Sequence, residues 1–283
     1  MERIAAVIVT YNNSEMLLRL LEDIMSQTRM ADEIIIVDNG NTDDTQNLVK
    51  EKFSQAKYIK IPQNSGSAGG YYTGIQAAMV KNDFVWTLDD DVRVPADSLK
   101  ELIDGFKRLA ISHKIAIARS VVFKEPKPKA EILMDNFTWR GCLIKTEVFG
   151  QGCVINKDFF IYGEDSDLSY QLSKKGYVFF WIPTSVCQDT RTSGREKYRF
   201  FGKTSEIYSD NFRLYYAFRN HIYILMRYGY YLKATRVILY GLKASLCFLS
   251  KYGLTSVSKI KAIIKGIIHG FRGKLGKTYN EKH

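Results

Sequence analysis

Apolar, β-branched segments alternate with helix-like segments along the first half of the chain. This alternation is typical of an α/β fold with a mainly parallel sheet. The four segments that we predict as strands span residues 4–10, 33–37, 58–61 and 84–88. Polar side chains follow each of them, namely Tyr11, Asn12, Asn13, Asp38, Asn39, Asn64, Asp89, Asp90 and Asp91. Because open α/β sheets bind ligands at the carboxyl ends of their strands, the sequence predicts one site formed by these four ends.

The second half of the chain has mixed strand and helix patterns, followed by helical segments alone. Strands are predicted over residues 115–123, 137–145 and 178–182, and a helix over residues 164–175. After residue 211, long apolar helical segments that carry Lys and Arg follow. We therefore expect an α/β domain over residues 1–218 and a basic helical region over residues 219–283.

The net charge of +11 is concentrated in this helical region. Residues 219–283 contain 13 Lys and Arg against one acidic residue, a net charge of +12, so the body is nearly neutral. A basic region of this kind predicts an anionic partner, either a phospholipid leaflet or a nucleic acid. Residues 232–251 and 256–272 read as amphipathic helices, and their charge-free windows fall short of the roughly 18 residues that a membrane span requires. We expect them to lie on a membrane surface; packing on the body with a solvated basic face is the alternative.

The cysteines and the N-terminus indicate the compartment. Four cysteines without a CxxC pair or regular spacing predict buried thiols in a reducing environment. Residues 1–3 run directly into a strand pattern, without the features of a signal peptide. We therefore expect a cytoplasmic protein.

Three adjacent carboxylates follow the strand over residues 84–88. Alternation along an extended chain directs Asp89 and Asp91 to the same side, where their charges repel each other. A cation relieves that repulsion, and carboxylate oxygens suit Mg²⁺ or Mn²⁺ bound to a diphosphate. A solvated acidic turn before the helix that Pro95 begins is the alternative.

The glycine-rich segment 64–70 lacks the Gly-Lys-Ser/Thr of a Walker loop, which disfavours ATP hydrolysis. Its glycines permit close backbone approach at a helix N-terminus, where N–H groups favour anions; a plain tight turn is the alternative. Glu164, Asp165 and Asp167 open another helix. Acids are favoured in the first turn of any helix, but a carboxylate held there could also accept a proton.

Together these segments resemble the glycosyltransferase family 2 enzymes of the GT-A fold, a Rossmann-like nucleotide-diphospho-sugar transferase fold. The matching segments occur in family order at residues 9–12, 37–39, 42–45, 64–70, 87–91, 160–168 and 215–220. The Ala-Gly-Gly stretch and the Asp triplet are most similar to the galactofuranosyltransferase-like branch, with rhamnosyltransferases next. The resemblance implies a GT-A domain with a mostly parallel central sheet, followed by the C-terminal amphipathic helices.

The resemblance also implies a role for each matching residue. Asp165 would be the catalytic base, and Glu164 would position the acceptor beside it. Contacts to the nucleotide sugar would come from Thr10, Tyr11, Asp38, Asn64, Gly69, Gly70, Asp89 and Asp90. Asp89 and Asp91 would bind the metal, and Trp139 and Arg140 would contact the acceptor.

One segment departs from the family pattern. Many relatives have a metal-binding histidine where this chain has Gln188. A Gln carbonyl suits a hard cation better than a transition metal, so Gln188 is our expected third ligand, with Asp189 or water as alternatives. Arg191 and Arg195 follow in a basic loop that could close over the diphosphate; a solvated surface loop is the alternative.

The sequence therefore predicts an inverting, metal-dependent enzyme that transfers a sugar, galactofuranose or rhamnose, from a UDP- or dTDP-sugar. The expected acceptor is a glycan or a polyprenyl-phosphate-linked glycan in cell-surface polysaccharide synthesis. We expect the enzyme to be peripheral at the inner face of the membrane and to bind no nucleic acid. The alternatives are a sugar-phosphate nucleotidyltransferase and a non-enzymatic basic protein that binds nucleic acid or membranes.

Overall fold

The predicted apolar segments form strands of one large sheet in the computed structural model of the protein, which describes residues 2–122, 129–190, 195–200 and 203–279. The strands are β1 (Ile4–Thr10), β2 (Glu33–Asp38), β3 (Lys57–Lys60), β4 (Phe84–Asp89), β5 (Val92–Arg93), β6 (Ile115–Val122), β7 (Ile132–Met134), β8 (Cys142–Lys145), β9 (Val178–Asp189), β10 (Arg195–Phe200) and β11 (Lys203–Tyr208). The helices are α1 (Ser14–Met25), α2 (Thr45–Lys52), α3 (Gly66–Ala78), α4 (Ser98–Ala110), α5 (Glu147–Gly150), α6 (Glu164–Lys174), α7 (Asn211–Arg227), α8 (Tyr231–Tyr252) and α9 (Val257–Phe271).

The chain divides into two compact units. The first unit comprises Met1–Lys157 and Asp165–Arg191, and the second comprises Asp158–Glu164 and Thr192–His283. The boundary that we predicted after residue 218 falls inside α7.

The sheet of the first unit has the order β3-β2-β1-β4-β8-β6-β9-β5, and β7 pairs with β9. The strands β3, β2, β1 and β4 are parallel, whereas β8 runs antiparallel between β4 and β6. In the register of the central strands, Thr10 lies opposite Asp38, and Val9 lies opposite Asp89. The polar ends of β1, β2 and β4 therefore meet at one edge of the sheet.

Apolar cores cover both faces of the sheet. Alternate residues of β1 enter each core, with Ile4 and Ile8 on one face and Val7 on the other. Helix α3 lies so close to β1 that a Cβ atom at Gly70 would be only 2.4 Å from Cγ1 of Val9. The absence of a side chain at Gly70 permits this approach. The glycines of this helix thus bring the start of α3 to the polar edge of the sheet.

The mixed part of the sheet differs from the expectation. The predicted strand over residues 137–145 is reduced to β8, and the predicted strand over residues 178–182 extends to Asp189. The extension pairs with β5, after a register shift against β6 between Ser120 and Val121. Pairing with β5, which is distant in sequence, therefore extends this strand beyond the part that the local sequence predicts.

The second unit contains the antiparallel hairpin β10–β11 and the three helices α7, α8 and α9. Two glycines bring α9 against α7: a Cβ at Gly266 would lie 2.6 Å from the carbonyl oxygen of Tyr215, and one at Gly270 would lie 2.5 Å from that of Arg219. These helices share a core that includes Phe218, Phe248 and Ile263.

Segment Tyr231–Phe271 contains a window of mean hydropathy 1.2, of which 17% is buried in the structure. By length and composition alone it could cross a membrane, which differs from our expectation from the short charge-free windows. It is the one such segment in the part of the chain that the structure describes. The 3₁₀ turn Gly253–Ser256 divides the segment into α8 and α9.

Candidate active site

The end of β2 carries Asp38, whose side chain is fully buried. Its Oδ1 accepts a hydrogen bond from the backbone N–H of Asn41 (2.6 Å), and its Oδ2 accepts one from the hydroxyl of Tyr58 (2.6 Å). Burial and this bond to Asp38 raise the pKa of Tyr58. Asp38 thus fixes the loop after β2, and the contact with the nucleotide that the sequence analysis assigns to it stays a prediction.

Asn39 connects the end of β2 to the glycine-rich segment. Its Oδ1 accepts hydrogen bonds from the backbone N–H (2.9 Å) and the hydroxyl (2.8 Å) of Ser65, and its Nδ2 donates to the carbonyl of Gly66 (3.0 Å). Asn64 accepts a bond from the N–H of Gly66 at 2.8 Å. These bonds hold the start of α3, which includes Gly69 and Gly70, beside the end of β2.

The acidic triplet joins three elements at the end of β4. Asp90 accepts hydrogen bonds from the backbone N–H of Tyr11 (3.2 Å) and from Nδ2 of Asn13 (3.1 Å), which ties it to the loop after β1. Asp89 accepts a bond from the hydroxyl of Tyr71 on α3 (2.7 Å). The structure therefore brings the predicted residues of the β1, β2, β4 and α3 ends together at one edge.

Two other residues of this edge differ in accessibility. Thr10 is fully buried, and its Oγ1 has no hydrogen-bond partner among the described residues. Tyr11 exposes about half of its surface. An exposed aromatic ring at a strand end is suited to stacking on a base, and the contact of Tyr11 with the nucleotide stays a prediction.

Asp165 is partly accessible at the start of α6, and its Oδ1 accepts a bond from the N–H of Ser166 at 2.7 Å. Desolvation by the surrounding protein raises the pKa of Asp165 to about 6; hydrogen bonds from Ser166 oppose this shift, and the negative charge of Asp89 adds to it. Asp165 is therefore within electrostatic reach of the acidic triplet. A carboxyl of this pKa is ionised at neutral pH and is a stronger base than an exposed aspartate.

The neighbours of Asp165 have other environments. Asp167 is fully buried and accepts a hydrogen bond from Nε2 of Gln171 (2.8 Å) within α6. Glu164 is also buried and belongs to the second unit. Asp165 is thus the most accessible of the three carboxylates.

The charges of this region affect the pKa values of two buried thiols. Burial raises the pKa of Cys142, and the charges of Asp165 and Asp89 raise it further, whereas Arg119 lowers it. The pKa of Cys187 is raised in the same way by burial and by Asp89, again opposed by Arg119. Arg119, a buried residue of β6, therefore offsets part of the negative charge around Asp89 and Asp165.

The end of β9 lies against the acidic triplet. Asp189 is opposite Val92, and the backbone N–H of Thr190 donates to the carbonyl of Asp91. Gln188 lies opposite Arg93 and is exposed, so it is farther along the strand from Asp91 than Asp189 is.

The side chains at this edge of the sheet can be assessed as ligands of a divalent metal ion. Within the described ranges, no three His, Cys, Asp or Glu side chains form a metal-binding group. Asp89 and Asp91 still fit Mg²⁺ or Mn²⁺, because such a cation is commonly held by one or two carboxylates together with substrate phosphates and water. Both residues are also hard oxygen donors, as this type of ion prefers. Gln188 as a third ligand stays a prediction.

The predicted acceptor residues lie in the loop before β8. Trp139 is buried and stacks on Tyr71 with 4.6 Å between ring centroids, and Arg140 forms an ion pair with Asp189. Of the two residues expected to close over the diphosphate, Arg191 lies outside the described residues, and so does the side chain of Arg195. All four roles stay predictions.

The sequence analysis missed three residues that support the site, namely Tyr58, Tyr71 and Arg119. They lie in apolar segments, and their partners are distant in sequence. The one available signal was Tyr71, which directly follows the glycines of α3.

The model of glycosyl transferase family 2 matches residues 5–151, more than half of the chain. The chain belongs to this family. It is 25% identical over 285 residues to galactofuranosyltransferase GlfT1 of Mycolicibacterium smegmatis, an alignment that covers 86% of this chain and 93% of that relative. It is 23% identical over 212 residues to poly-beta-1,6-N-acetyl-D-glucosamine synthase of Staphylococcus aureus, covering 66% of this chain and 50% of the synthase.

Structural likeness agrees with the family. The crystal structure of GalNAc-T7 with UDP, GalNAc and Mn²⁺ matches with a TM-score of 0.61 at 14% identity, covering 80% of this chain. This chain spans about half of the length of that structure, 48%. The family 2 protein thus has the predicted GT-A fold and is a glycosyltransferase, which disfavours the nucleotidyltransferase and non-enzymatic alternatives.

Proposed function

We propose that this family 2 glycosyltransferase moves a sugar from a nucleotide donor to an acceptor hydroxyl with inversion, and that Asp165 is the base. The observation that carries the proposal is the partly accessible carboxylate of Asp165, with its pKa raised to about 6, within electrostatic reach of Asp89. Similarity to a galactofuranosyltransferase over most of the chain supports galactofuranose as the sugar. Rhamnose is the second candidate, from the resemblance of the sequence motifs to rhamnosyltransferases. UDP and dTDP are the candidate nucleotides.

The reaction proceeds as one displacement. The ionised carboxylate of Asp165 takes the proton of the acceptor hydroxyl as that oxygen attacks the anomeric carbon. The bond from the anomeric carbon to the diphosphate oxygen breaks, and its electron pair leaves with the nucleoside diphosphate. Attack from the face opposite the leaving group inverts the anomeric configuration.

Asp89 and Asp91 would hold Mg²⁺ or Mn²⁺ at the end of β4. When bound, the cation stabilises the negative charge that develops on the departing diphosphate. Two hydrogen bonds hold this turn in place. The hydroxyl of Tyr71 donates to one oxygen of Asp89, and Asp90 accepts a bond from the backbone of the loop after β1. The Mn²⁺ in the GalNAc-T7 structure supports a divalent cation in this fold.

The remaining strand ends would hold the nucleotide. We assign Thr10, Tyr11 and Asp38 to the base and ribose from the family resemblance. Tyr11 has an exposed ring for stacking, whereas Thr10 and Asp38 are fully buried in this structure. Asn64 and the first turn of α3 would lie along the diphosphate, where backbone N–H groups of a helix start favour anions.

The C-terminal helices would bring the enzyme to a lipid-linked acceptor. Five leucines of α8 are exposed at spacings of three, four and seven residues, which places them on one stripe of the helix. They are Leu232, Leu239, Leu242, Leu246 and Leu249. Because Lys and Arg flank this stripe in a region of net charge +12, with 13 basic residues and one acid, we assign it to an anionic lipid surface at the inner face of the membrane.

A vesicle co-sedimentation experiment tests the membrane assignment. Leu246→Ser should weaken binding to vesicles of phosphatidylglycerol and phosphatidylcholine, and raised salt should weaken it further because it screens the basic residues. Ile111→Ser, which removes an exposed apolar side chain of the first unit, is the matched control and should bind like wild type. Equal binding by all three proteins, or binding to neutral vesicles alone, would contradict the assignment.

A transfer assay tests the base. Asp165→Asn keeps the size and the hydrogen bond to Ser166 but removes the proton acceptor, so transfer should fall by about two to four orders of magnitude while donor affinity is retained. Asp104→Asn, at an exposed carboxylate of α4, is the control. Transfer by Asp165→Asn at the wild-type rate would overturn the assignment.

A further inference from the structure

Arg219 of α7 is a fully buried arginine whose acceptors are neutral oxygens. Its guanidinium donates to the carbonyl oxygens of Phe159 (2.6 Å) and Gly276 (2.6 Å) and to Oγ1 of Thr278 (3.1 Å). Burial lowers the pKa of Arg219. Because a buried cation is costly unless its hydrogen bonds are replaced, these bonds are needed to keep it inside the second unit.

Asn220, the next residue of α7, binds the same backbone segment. Its Nδ2 lies within hydrogen-bonding distance of the carbonyl oxygens of Phe159 (3.1 Å), Ile161 (2.7 Å) and Tyr162 (2.6 Å). Its Oδ1 accepts a bond from Nε of Arg219 (2.7 Å), so the two side chains act as one unit.

The segment that these side chains bind has an unfavourable backbone. Phe160 and Tyr162 have φ angles of 68° and 64°, in the left-handed region that side-chain-bearing residues avoid, and Gly163 has a φ of 91°. Two such residues within three positions persist only where their surroundings hold them. Arg219 and Asn220 bind the carbonyls of Phe159 and Ile161, which flank Phe160, and Asn220 also binds the carbonyl of Tyr162 itself.

The C-terminal tail completes the arrangement. The backbone N–H of Gly276 donates to the carbonyl of Asp158 (2.6 Å), and the hydroxyl of Tyr216 donates to the carbonyl of Tyr279 (3.1 Å). Arg219 therefore lies between the tail at residues 276–278 and the segment at residues 158–162.

The strained segment ends where α6 begins, at Glu164 and Asp165. We propose that Arg219 and Asn220 form a positioning clamp that fixes the chain immediately before these two carboxylates and thereby sets the position of the base. This inference rests on the proposed role of Asp165. The clamp residues contact backbone and not substrate, so they act through Asp165.

If Arg219 and Asn220 position the base, their loss should lower kcat and leave the KM of the donor nearly unchanged. In Asn220→Ala the strained carbonyls lose their donor, the segment relaxes, and kcat at saturating acceptor should fall about tenfold to a hundredfold, the usual effect of a small misplacement of a catalytic group. The KM of the nucleotide-sugar donor should stay within about twofold of wild type, because donor contacts are made elsewhere. Arg219→Lys keeps the charge but loses the planar fork that reaches two carbonyls at once, and it should show the same pattern.

A double variant separates positioning from general disruption. If the clamp acts only through the base, adding Asn220→Ala to Asp165→Asn should slow transfer no further than Asp165→Asn alone. A variant that merely damaged the fold would add its loss to that of Asp165→Asn. Arg227→Gln, in the last turn of the same helix, is the matched control and should retain the wild-type kcat.

Each outcome decides the inference. A folded Asn220→Ala with the wild-type kcat, or losses that add in the double variant, would overturn the clamp. Should Asn220→Ala fail to fold, Arg219→Lys decides in the same assay: a lower kcat at unchanged donor KM supports the clamp, and an unchanged kcat overturns it. Transfer by Asp165→Asn at the wild-type rate would instead show that the base assignment is wrong, which distinguishes the two failures.

Discussion

Replacing Asp165 by Asn should stabilise the protein at neutral pH while it removes the base. The surrounding protein raises the folded-state pKa of Asp165 from the ordinary 3.8 to about 6, so the folded protein holds this proton more tightly than the unfolded chain does. The free energy of unfolding therefore falls as pH rises from about 4 to about 6 and levels off above that range. At about 1.4 kcal/mol per pKa unit, the ionised carboxylate costs about 2–3 kcal/mol of stability at pH 7.5.

Asparagine has no proton to lose and can still accept the hydrogen bond from Ser166. The melting temperature of Asp165→Asn should exceed that of wild type by about 5–10 °C at pH 7.5, and the difference should disappear near pH 4. Thermal unfolding would be followed by circular dichroism across this pH range in excess chelator, because a cation beside Asp89 would offset the charge repulsion. Asp104→Asn, at an exposed surface pair, should change stability by less than about 0.5 kcal/mol.

An Asp165→Asn protein that is no more stable than wild type at pH 7.5, or that has an equally large advantage at pH 4, would contradict a raised pKa of Asp165 in the folded protein. Activity should titrate with the same carboxyl. Because the base must be ionised, wild-type kcat should fall about tenfold per pH unit below the pKa of Asp165, and with the cation bound beside Asp89 this pKa should lie below the value of about 6 that holds in chelator.

The other predictions concern the metal, the glycine-rich helix and the neighbours of the base. Asp91→Asn should abolish the dependence of transfer on added Mg²⁺ or Mn²⁺ together with nearly all activity, and full activity in chelator would contradict the metal assignment. Gly70→Val should destabilise the protein by at least about 1–3 kcal/mol and weaken donor binding, since its Cβ would overlap Val9; an unchanged melting temperature would contradict this. Glu164→Gln should raise the acceptor KM more than it lowers kcat, whereas Asp167→Asn should alter stability and leave both kinetic constants near wild type.

The α/β part of the fold was predictable because β1, β2 and β4 are buried on both faces and are therefore mainly apolar. The polar residues that end β1, β2 and β4 could be placed together from the same rule, and the register of Thr10 with Asp38 agrees with it. The extension of β9 to Asp189 could not be predicted, because it depends on pairing with β5, which is almost a hundred residues earlier.

The supports of the site were also beyond sequence reasoning. Tyr58 and Tyr71 look like ordinary apolar positions of a strand and a helix, and only the folded chain shows that their hydroxyls reach Asp38 and Asp89. Asp38 illustrates the same limit, because its carboxylate was recognised but its two internal hydrogen bonds were not.

The stereochemistry of the transferred sugar tests the proposed single displacement. Purified protein would be given UDP-galactofuranose or dTDP-rhamnose with Mg²⁺ or Mn²⁺ and a lipid-linked acceptor, and the anomeric configuration of the product would be read by NMR. We predict turnover with one of these donors only in the presence of the cation, an anomeric configuration opposite to that of the donor, and loss of product with Asp165→Asn. A product of retained configuration, or equal turnover in excess chelator, would contradict the proposed single displacement with Asp165 as base.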